Sequence, residues 1–301
     1  MNKGKSVEKR LLWSLIVTLL ILAGEVIGGI LSNSLALLSD AGHVLTDAFA
    51  LGLSLIAALI MKRPSDYRAT YGYQRIGLLS ALLNGSSLVV IAVFIFVETY
   101  KRLLSPPAIN SSLMLIIAAA GLAGNLIMAY ILGRGHKDLN IKSAWLHVLG
   151  DTVSSAGVII AGLLIKYTGW VIADPIASGL VGVMIIIGGV RVIKEALWIF
   201  LELSPVGFHA EEISSLISEI PGVVCVHDVH VWSIGHGIPA FSAHVQVGDQ
   251  KISEADTVRK EIEHKLLHLG IKHSVIQMEC AECEANATYC QMTHSEPVHH
   301  H

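Results

Sequence analysis

Six long apolar stretches limit what this chain can fold into. A helix needs about 20 mostly apolar residues to cross a lipid bilayer, and every stretch reaches or approaches that length. The stretches cover residues 11–31, 35–61, 76–99, 111–133, 143–166 and 174–196. Charged residues make up 15% of the chain, whereas soluble domains average about 25%. The sequence therefore predicts an α-helical membrane protein with six transmembrane helices in a lipid bilayer and a smaller soluble part.

Lysine and arginine are concentrated in alternate segments between these stretches. The richer set comprises Lys3, Lys5, Lys9, Arg10, Lys62, Arg63, Arg68, Arg75, Arg134, Lys137 and Lys142. The segments on the opposite side carry Lys101, Arg102 and Lys166. Because the richer segments stay in the cytoplasm, we expect a multi-pass protein of the cell membrane with both termini cytoplasmic. The net charge of −3 gives no indication of a nucleic-acid partner.

The composition changes after about residue 203, where a soluble domain is expected. Residues 204–220 indicate a turn and an amphipathic helix, and residues 222–235 and 239–247 read as two strands. Residues 253–268 repeat apolar side chains at helical spacing, and residues 273–280 form a third predicted strand. This αββαβ order predicts a small α+β ferredoxin-like domain with its helices on one face of the sheet.

Ionisable side chains interrupt the second and fifth apolar stretches in nearly the same pattern. His43 and Asp47 in "SDAGHVLTD" are four positions apart, and Asp40 lies three positions before His43. His147 and Asp151 in "LHVLGD" repeat the four-residue spacing, which places both side chains on one helix face. Two such pairs facing each other would supply the four ligands of a tetrahedral zinc site. A hydrogen bond within one helix explains a single pair equally well, but the repetition favours a shared metal site.

The chain resembles the cation diffusion facilitators, and within them the zinc-transporting branch. The stretches "SLALLSDAGHVLTDAFAL", "YGYQRIGLLSALLNG" and "AWLHVLGDTVSSAGVI" carry the resemblance, which covers about residues 10–284. It implies a homodimer that exchanges cytosolic Zn²⁺ for protons and is not an enzyme, with Cd²⁺ and related divalent cations as candidate further cargo. It also implies a transport site whose ligands are His43, Asp47, His147 and Asp151.

The remaining polar groups in the apolar stretches have two interpretations each. Asp40 either supports the metal ligands or lines a water path, or else it packs helices together. Asn125 either faces the same cavity or lies in a close helix contact that Gly121 and Gly124 allow. Glu25 either relays protons or hydrogen-bonds to a neighbouring helix.

A loop site that some members of the family carry is not expected here. Those members have histidines between the second and third spans, whereas "KRPSDYRATYGYQR" offers Asp66 but no histidine. We therefore expect no tight metal site in this loop.

The C-terminal domain carries a second set of candidate ligands. His227 and His244 lie on neighbouring predicted strands, and Glu279 and Cys280 end the third. Cys280 and Cys283 have the CxxC spacing that lets two thiolates bind one ion. The resemblance implies that His227, His244 and Glu279 help to bind zinc at the dimer interface as a structural or regulatory ion. The alternative is that these histidines are solvated surface residues.

The other histidines and cysteines of this domain receive no specific site. His230, His236, His264, His268 and His273 are expected at the surface. All four cysteines, which include Cys225 and Cys290, lie in the last quarter of the chain. A reducing cytosol would leave such thiols free to bind metal.

These observations divide the chain into four segments. They are a cytoplasmic N-terminal segment, 1–10; a six-helix transmembrane domain, 11–203; a cytoplasmic metal-binding dimerisation domain, 204–284; and a C-terminal tail, 285–301. The three histidines that end the tail are typical of a truncated purification tag and receive no functional role.

Two other classes of function compete with zinc export. An intramembrane zinc enzyme needs an open coordination position and a catalytic acid or base, and four protein ligands leave no such position. A membrane-bound divalent metal sensor would use the same ligands without transport, and zinc uptake into vesicles separates it from an antiporter. The sequence favours the zinc/proton antiporter.

Overall fold

Six long helices make up the N-terminal part of the chain. The structure, a computed structural model, describes residues 2–133 and 139–280, with side chains for residues 16–130 and 148–280. The helices are α1, Asn2–Ser32; α2, Leu35–Met61; α3, Ile76–Leu104; α4, Ser111–Gly133; α5, Leu139–Thr168; and α6, Ala173–Phe200. One helix therefore covers each predicted apolar stretch, and several helices extend beyond it by a turn or more.

Length and composition allow most of these helices to cross a bilayer. Within the described residues α2 to α6 meet that criterion, whereas the described apolar part of α1, Ile16–Ser32, is shorter. Large apolar side chains point outward, and Leu51, Phe94 and Ile187 are 66%, 70% and 63% exposed. Lipid chains can cover such a surface, and a helix satisfies its own backbone hydrogen bonds in lipid. The chain is a multi-pass membrane protein.

The described residues divide into two compact units. The first contains the residues up to Leu55 together with Ala81–Ile193, and the second contains Ile56–Ser80 together with the residues from Lys194 onward. Within the first unit α4 packs against α5 and α1. A Cβ atom at Gly124 of α4 would lie 2.7 Å from the Ile21 side chain of α1. This small residue therefore makes the close helix contact that its spacing with Gly121 suggested.

The second unit contains a three-stranded sheet and two short helices. Its elements after α6 are α7, Ala210–Ser218; β1, Val223–Gly235; β2, Ile238–Val247; α8, Ile252–His268; and β3, His273–Glu279. Strand β1 pairs with β2 in the antiparallel direction, and β2 pairs with β3 in the parallel direction. Helix α8 makes the crossover that a parallel pair requires. The predicted αββαβ order and α+β fold are confirmed.

One buried cluster holds this sheet and its helices together. Ile217 of α7, Phe241 of β2, and Ile262 and Leu266 of α8 are all completely buried in it. Burying an aliphatic or aromatic side chain contributes about 1.5–3 kcal/mol, so this cluster fixes α7 and α8 on the sheet. The opposite face of α8 is left for polar residues.

Strand β1 contains an irregularity that matters for the chemistry of the sheet. The pairing with β2 shifts register between His227 and His230. Asp228, within that shift, has a backbone φ of 51°, which non-glycine residues adopt uncommonly. A β-bulge of this kind redirects side chains relative to a regular strand, and it brings Asp228 towards neighbouring histidines.

Candidate metal centres

Helices α2 and α5 bring three potential metal ligands together inside the first unit. His43 and Asp47 lie one turn apart on α2, and the His43 Nε2 atom is 3.7 Å from Asp47 Oδ2. Asp151 of α5 places its Oδ1 atom 3.8 Å from the same nitrogen. One ligand atom from each side chain lies within 4.8 Å of the others. This group, His43, Asp47 and Asp151, is the membrane cluster.

The separations in the membrane cluster are close to those around a bound zinc ion. Ligand atoms about 2.0–2.2 Å from a tetrahedral Zn²⁺ are separated from each other by about 3.3–3.6 Å. The distances of 3.7 and 3.8 Å from His43 therefore need to shorten by only a few tenths of an ångström. His147 lies in α5 one turn before Asp151, but its side chain is outside the described residues.

A small cavity adjoins the membrane cluster. It has a volume of about 240 Å³ and is lined by His43, Gly150, Asp151, Ser154, Val181, Met184 and Ile185. Asp151 is buried, and His43 and Asp47 are partly buried. Ionised groups in a membrane interior are costly unless an opposite charge compensates them. A dication in this cluster would compensate two carboxylates, and the cavity would give it a path to the ligands.

A hydrogen-bonded network lies one turn before the membrane cluster on α2. Ser154 of α5 donates to Asp40 Oδ1 at 2.6 Å, and Ser155 donates to Asp40 Oδ2 at 3.2 Å. Asn125 of α4 donates to Ser155 at 3.2 Å. Asp40 and Asn125 therefore share one network, which joins α2, α4 and α5. The two serines had no signal in the sequence, because only the packing of α5 on α2 gives them a role.

Glu25 lies in the same buried layer. Its side chain on α1 is 2% exposed, and a Cβ atom at Gly121 of α4 would lie 2.9 Å from Glu25 Oε1. Gly121 thus leaves room for a carboxyl group between α1 and α4.

The sheet of the second unit assembles another three-residue group. His227 of β1 is the pairing partner of His244 of β2. Glu279 ends β3 and reaches both, with Oε1 3.0 Å from His244 Nδ1 and Oε2 3.3 Å from His227 Nε2. One ligand atom from each side chain again lies within 4.8 Å of the others. These residues, His227, His244 and Glu279, form the sheet cluster, and all three are partly exposed.

Asp228 adds a carboxylate to the edge of the sheet cluster. Its Oδ2 atom lies 3.5 Å from His244 Nε2, and its Oδ1 atom lies 3.0 Å from His230 Nε2. Sequence analysis missed this residue because regular alternation along β1 would point it away from His227. The β-bulge overrides the alternation, and "HDVH" gives no clear sign of it.

The cysteines contribute less to the described site than the sequence predicted. Cys280, directly after β3, is an exposed free thiol, whereas Cys283 and Cys290 lie outside the described residues. Cys225 of β1 is disulfide-bonded, so the expectation of four free thiols is wrong at this position. The expected cellular compartment and the number of cysteines do not determine which thiols the fold brings within bonding distance.

The loop between α2 and α3 uses its acidic residue for its own structure. Asp66 Oδ1 accepts hydrogen bonds from the backbone N–H groups of Arg68 and Ala69, both at 2.8 Å. Its Oδ2 atom accepts from the Tyr73 hydroxyl at 2.8 Å. These hydrogen bonds lower the pKa of Asp66, and the bond from the Ala69 N–H has the largest effect. In the described structure this carboxylate therefore organises the loop.

Two family models together match most of the chain. Residues 11–201 match the family model of the cation efflux transmembrane domain, and residues 205–281 match that of the cation efflux protein, cytoplasmic domain.

Three characterised relatives cover nearly all of the chain. A cadmium, cobalt and zinc/H(+)-K(+) antiporter of Bacillus subtilis is 40% identical, with 100% of this chain and 98% of the relative aligned. Zinc transporter ZitB of Escherichia coli is 40% identical, over 97% and 94% of the two chains. Metal cation efflux system protein CzcD of Cupriavidus metallidurans is 38% identical, over 92% and 88%. With both family models matched in order, this chain belongs to the cation efflux family, the cation diffusion facilitators, and to its zinc branch.

Proposed function

We propose that the protein is a zinc/proton antiporter that exports Zn²⁺, and related divalent cations such as Cd²⁺, from the cytosol. The membrane cluster carries this proposal, because it places one imidazole and two carboxylates within 4.8 Å of one another between α2 and α5. The relatives named as zinc transporter and as cadmium, cobalt and zinc antiporter support the same cargo. The cation efflux family is made up of transporters, which favours export over an intramembrane zinc enzyme or a metal sensor.

The proposed transport ligands are His43, Asp47, His147 and Asp151. Two imidazoles and two carboxylates at tetrahedral positions suit Zn²⁺ and Cd²⁺ better than Mg²⁺ or Ca²⁺, which prefer six or more oxygen ligands. Asp40 and Asn125 support this site through the Ser154 and Ser155 hydroxyls rather than by binding the ion. The cluster lies among helices that cross the bilayer, where a cargo site is needed.

Proton coupling follows from the chemistry of the same ligands. A metal ligand must be deprotonated, and histidine has an unperturbed pKa of about 6.5. Zn²⁺ and protons therefore compete for the site near neutral pH. Where proton activity is low, as in the cytosol, Zn²⁺ displaces protons from the ligands. Where it is higher, on the outer side, protons displace Zn²⁺ and neutralise the carboxylates for the return.

The sheet cluster serves a resident ion in this proposal. His227, His244 and Glu279 would hold Zn²⁺ as a structural or regulatory ion, with Cys280 and Cys283 as less central ligands. The family model that residues 205–281 match bears the name ZT_dimer, which supports a homodimer. Residues 204–284 would then form the cytoplasmic dimerisation domain, and both termini would lie in the cytoplasm.

Sealed proteoliposomes that contain a zinc dye and a pH dye test the proposal. An imposed pH gradient should drive Zn²⁺ uphill, and zinc movement should be matched by opposite proton movement. The control is liposomes that contain the Asp151→Asn variant, which loses one carboxylate of the membrane cluster. Zinc flux that ignores the pH gradient and moves no protons would overturn antiport and leave zinc uniport. Binding of Zn²⁺ without any flux would instead indicate a sensor.

A further inference from the structure

The last two turns of α8 carry a histidine pair that belongs to neither metal cluster. His264 and His268 are both exposed, and their Nε2 atoms are 3.3 Å apart. The ring centroids are 4.5 Å apart and the ring planes meet at 83°. The two side chains share one helix face because they are four residues apart. This group, His264 and His268, is the α8 pair.

The distance within the α8 pair is that of two ligands on one metal ion. Two nitrogens each about 2.0–2.1 Å from Zn²⁺ are about 3.3–3.4 Å apart when the coordination is tetrahedral. The observed 3.3 Å matches this separation. A neutral imidazole has one N–H group and one lone pair, so the present contact uses an N–H group of one ring. An ion in its place would take the lone pairs of both Nε2 atoms once the donating ring carries its proton on Nδ1 instead.

The helix beneath the pair is fixed in place. Ile262 and Leu266 are completely buried on the other side of α8 and anchor it in the core. The final turn is closed by the Leu269 N–H donating to the Lys265 carbonyl and the Ile271 N–H donating to the Leu266 carbonyl. Two ligands held by a rigid helix lose less conformational freedom on binding than two on a loop.

The nearby positive charges are engaged elsewhere. Lys265 Nζ donates to the Leu216 carbonyl of α7 at 3.2 Å. Arg259, further back on α8, pairs with Asp256 and Glu263. Glu261 falls on the same helical stripe as the α8 pair, three residues before His264. Lys260, one turn before His264, also pairs with Asp256. These three cations of α8 therefore each have an acceptor other than the α8 pair.

We propose that His264 and His268 form a separate surface site that chelates a divalent d-block cation of the Zn²⁺ class. Imidazole is a suitable ligand for Zn²⁺, Cu²⁺ and Ni²⁺. Structural zinc sites have four protein ligands, whereas two imidazoles leave coordination positions open to water or to an incoming ligand. The α8 pair is thus an exchangeable site on the second unit, and it is independent of the transport site.

Copper binding to the full-length protein in nanodiscs tests this site, because Cu²⁺ binds such ligands more tightly than Zn²⁺. The parent carries His299→Ala, His300→Ala and His301→Ala, so that the three terminal histidines bind no metal, and the rest of the tail is the same in all variants. At equal free Cu²⁺, the parent should bind one ion per chain more than the double variant H264Q/H268Q. Electron paramagnetic resonance of the difference should show copper with two imidazole nitrogens. At equal free Zn²⁺, the zinc content of the parent should likewise exceed that of H264Q/H268Q by one ion per chain.

The single variants make the test specific for a chelate. His264→Gln and His268→Gln should each remove nearly the whole effect, because one imidazole cannot chelate. His236→Gln, at another exposed histidine, should change nothing, and thermal unfolding should be the same for all variants. Equal copper content in the parent and in H264Q/H268Q would overturn the site. A difference in copper content without any difference in zinc content between the parent and H264Q/H268Q would overturn the assignment to the Zn²⁺ class.

Discussion

The membrane cluster and the sheet cluster use similar ligands in opposite surroundings. The membrane cluster has one described imidazole and two carboxylates, and Asp151 is buried between helices. The sheet cluster has two imidazoles and one carboxylate, all partly exposed on strands. Water can solvate the sheet cluster when no ion is bound. The membrane cluster lies on helices long and apolar enough to cross a bilayer, where ionised carboxylates are costly unless a positive charge compensates them.

Under the proposed function, this difference would suit the membrane cluster to a cargo and the sheet cluster to a resident ion. When Zn²⁺ leaves the membrane cluster, protons are the ions that can neutralise its carboxylates, so release and protonation are linked. The sheet cluster gains Asp228, 3.5 Å from His244, which raises the number of carboxylates to two. With Zn²⁺ bound, the two carboxylates offset the charge of the ion. When the ion leaves, water can solvate them, so release does not require their protonation.

The largest effect is expected from removing a carboxylate of the membrane cluster. Asp151→Ala or Asp47→Ala deletes one ligand and leaves the Zn²⁺ charge undercompensated in a medium of low dielectric constant. Zinc transport in proteoliposomes should fall to the level of empty vesicles, while expression and dimerisation persist. Asp249→Ala, at an exposed position after β2, is the matched control. Near-normal transport by either cluster variant would remove that residue from the transport site.

A change of ligand type in the membrane cluster should alter selectivity rather than abolish transport. His43→Asp replaces a nitrogen ligand by an oxygen ligand, which should broaden the range towards harder ions such as Mn²⁺ or larger ions such as Cd²⁺. Competition assays should show Mn²⁺ or Cd²⁺ gaining relative to Zn²⁺ by about tenfold. If the ranking of ions stays the same, His43 does not determine selectivity.

The sheet cluster should affect stability more than transport. Residues 204–284 expressed alone should form a soluble dimer that melts at a higher temperature with Zn²⁺, since an ion at 100 times its Kd adds about 2.7 kcal/mol. His244→Ala should remove most of that shift, because His244 contacts both Glu279 and Asp228. His236→Ala should keep it. A wild-type fragment whose melting temperature ignores Zn²⁺ would contradict a resident ion.

Local spacing made much of this predictable from the sequence. The apolar lengths predicted the helices, and the i, i+4 rule predicted that His43 and Asp47 share a face. The meeting of α2 with Asp151 of α5 is a tertiary contact, and only the repeated motif indicated it. The hydroxyl donors to Asp40 and the bulge at Asp228 were not predictable, because they depend on packing and on register. The sequence shows that His264 and His268 are four residues apart. That spacing brings their side chains together only if the segment is helical, which the structure shows.

The smallest effect is expected at Asp66, whose carboxylate organises a loop rather than binding an ion. Hydrogen bonds from the Ala69 N–H, the Tyr73 hydroxyl and the Arg68 N–H lower its pKa. A carboxyl group with a lowered pKa in the folded state stabilises that state above its unfolded pKa of about 3.9, and the stabilisation is lost as the pH falls through the folded value. Between pH 8 and pH 5 the loop should therefore keep its order.

Asp66→Asn tests this contrast with the membrane carboxylates directly. The asparagine side chain accepts fewer hydrogen bonds, so hydrogen exchange at the Arg68 and Ala69 amides should become faster. Zinc transport should fall by less than about twofold, because the hydrogen-bonded loop carboxylate is not a transport ligand in the proposed mechanism, and a surface substitution usually changes stability by under about 0.5 kcal/mol. Asp47→Asn, the same chemical change in the membrane cluster, should abolish transport. Comparable losses in the two variants would place Asp66 on the ion's path and end the distinction between a structural and a transporting carboxylate.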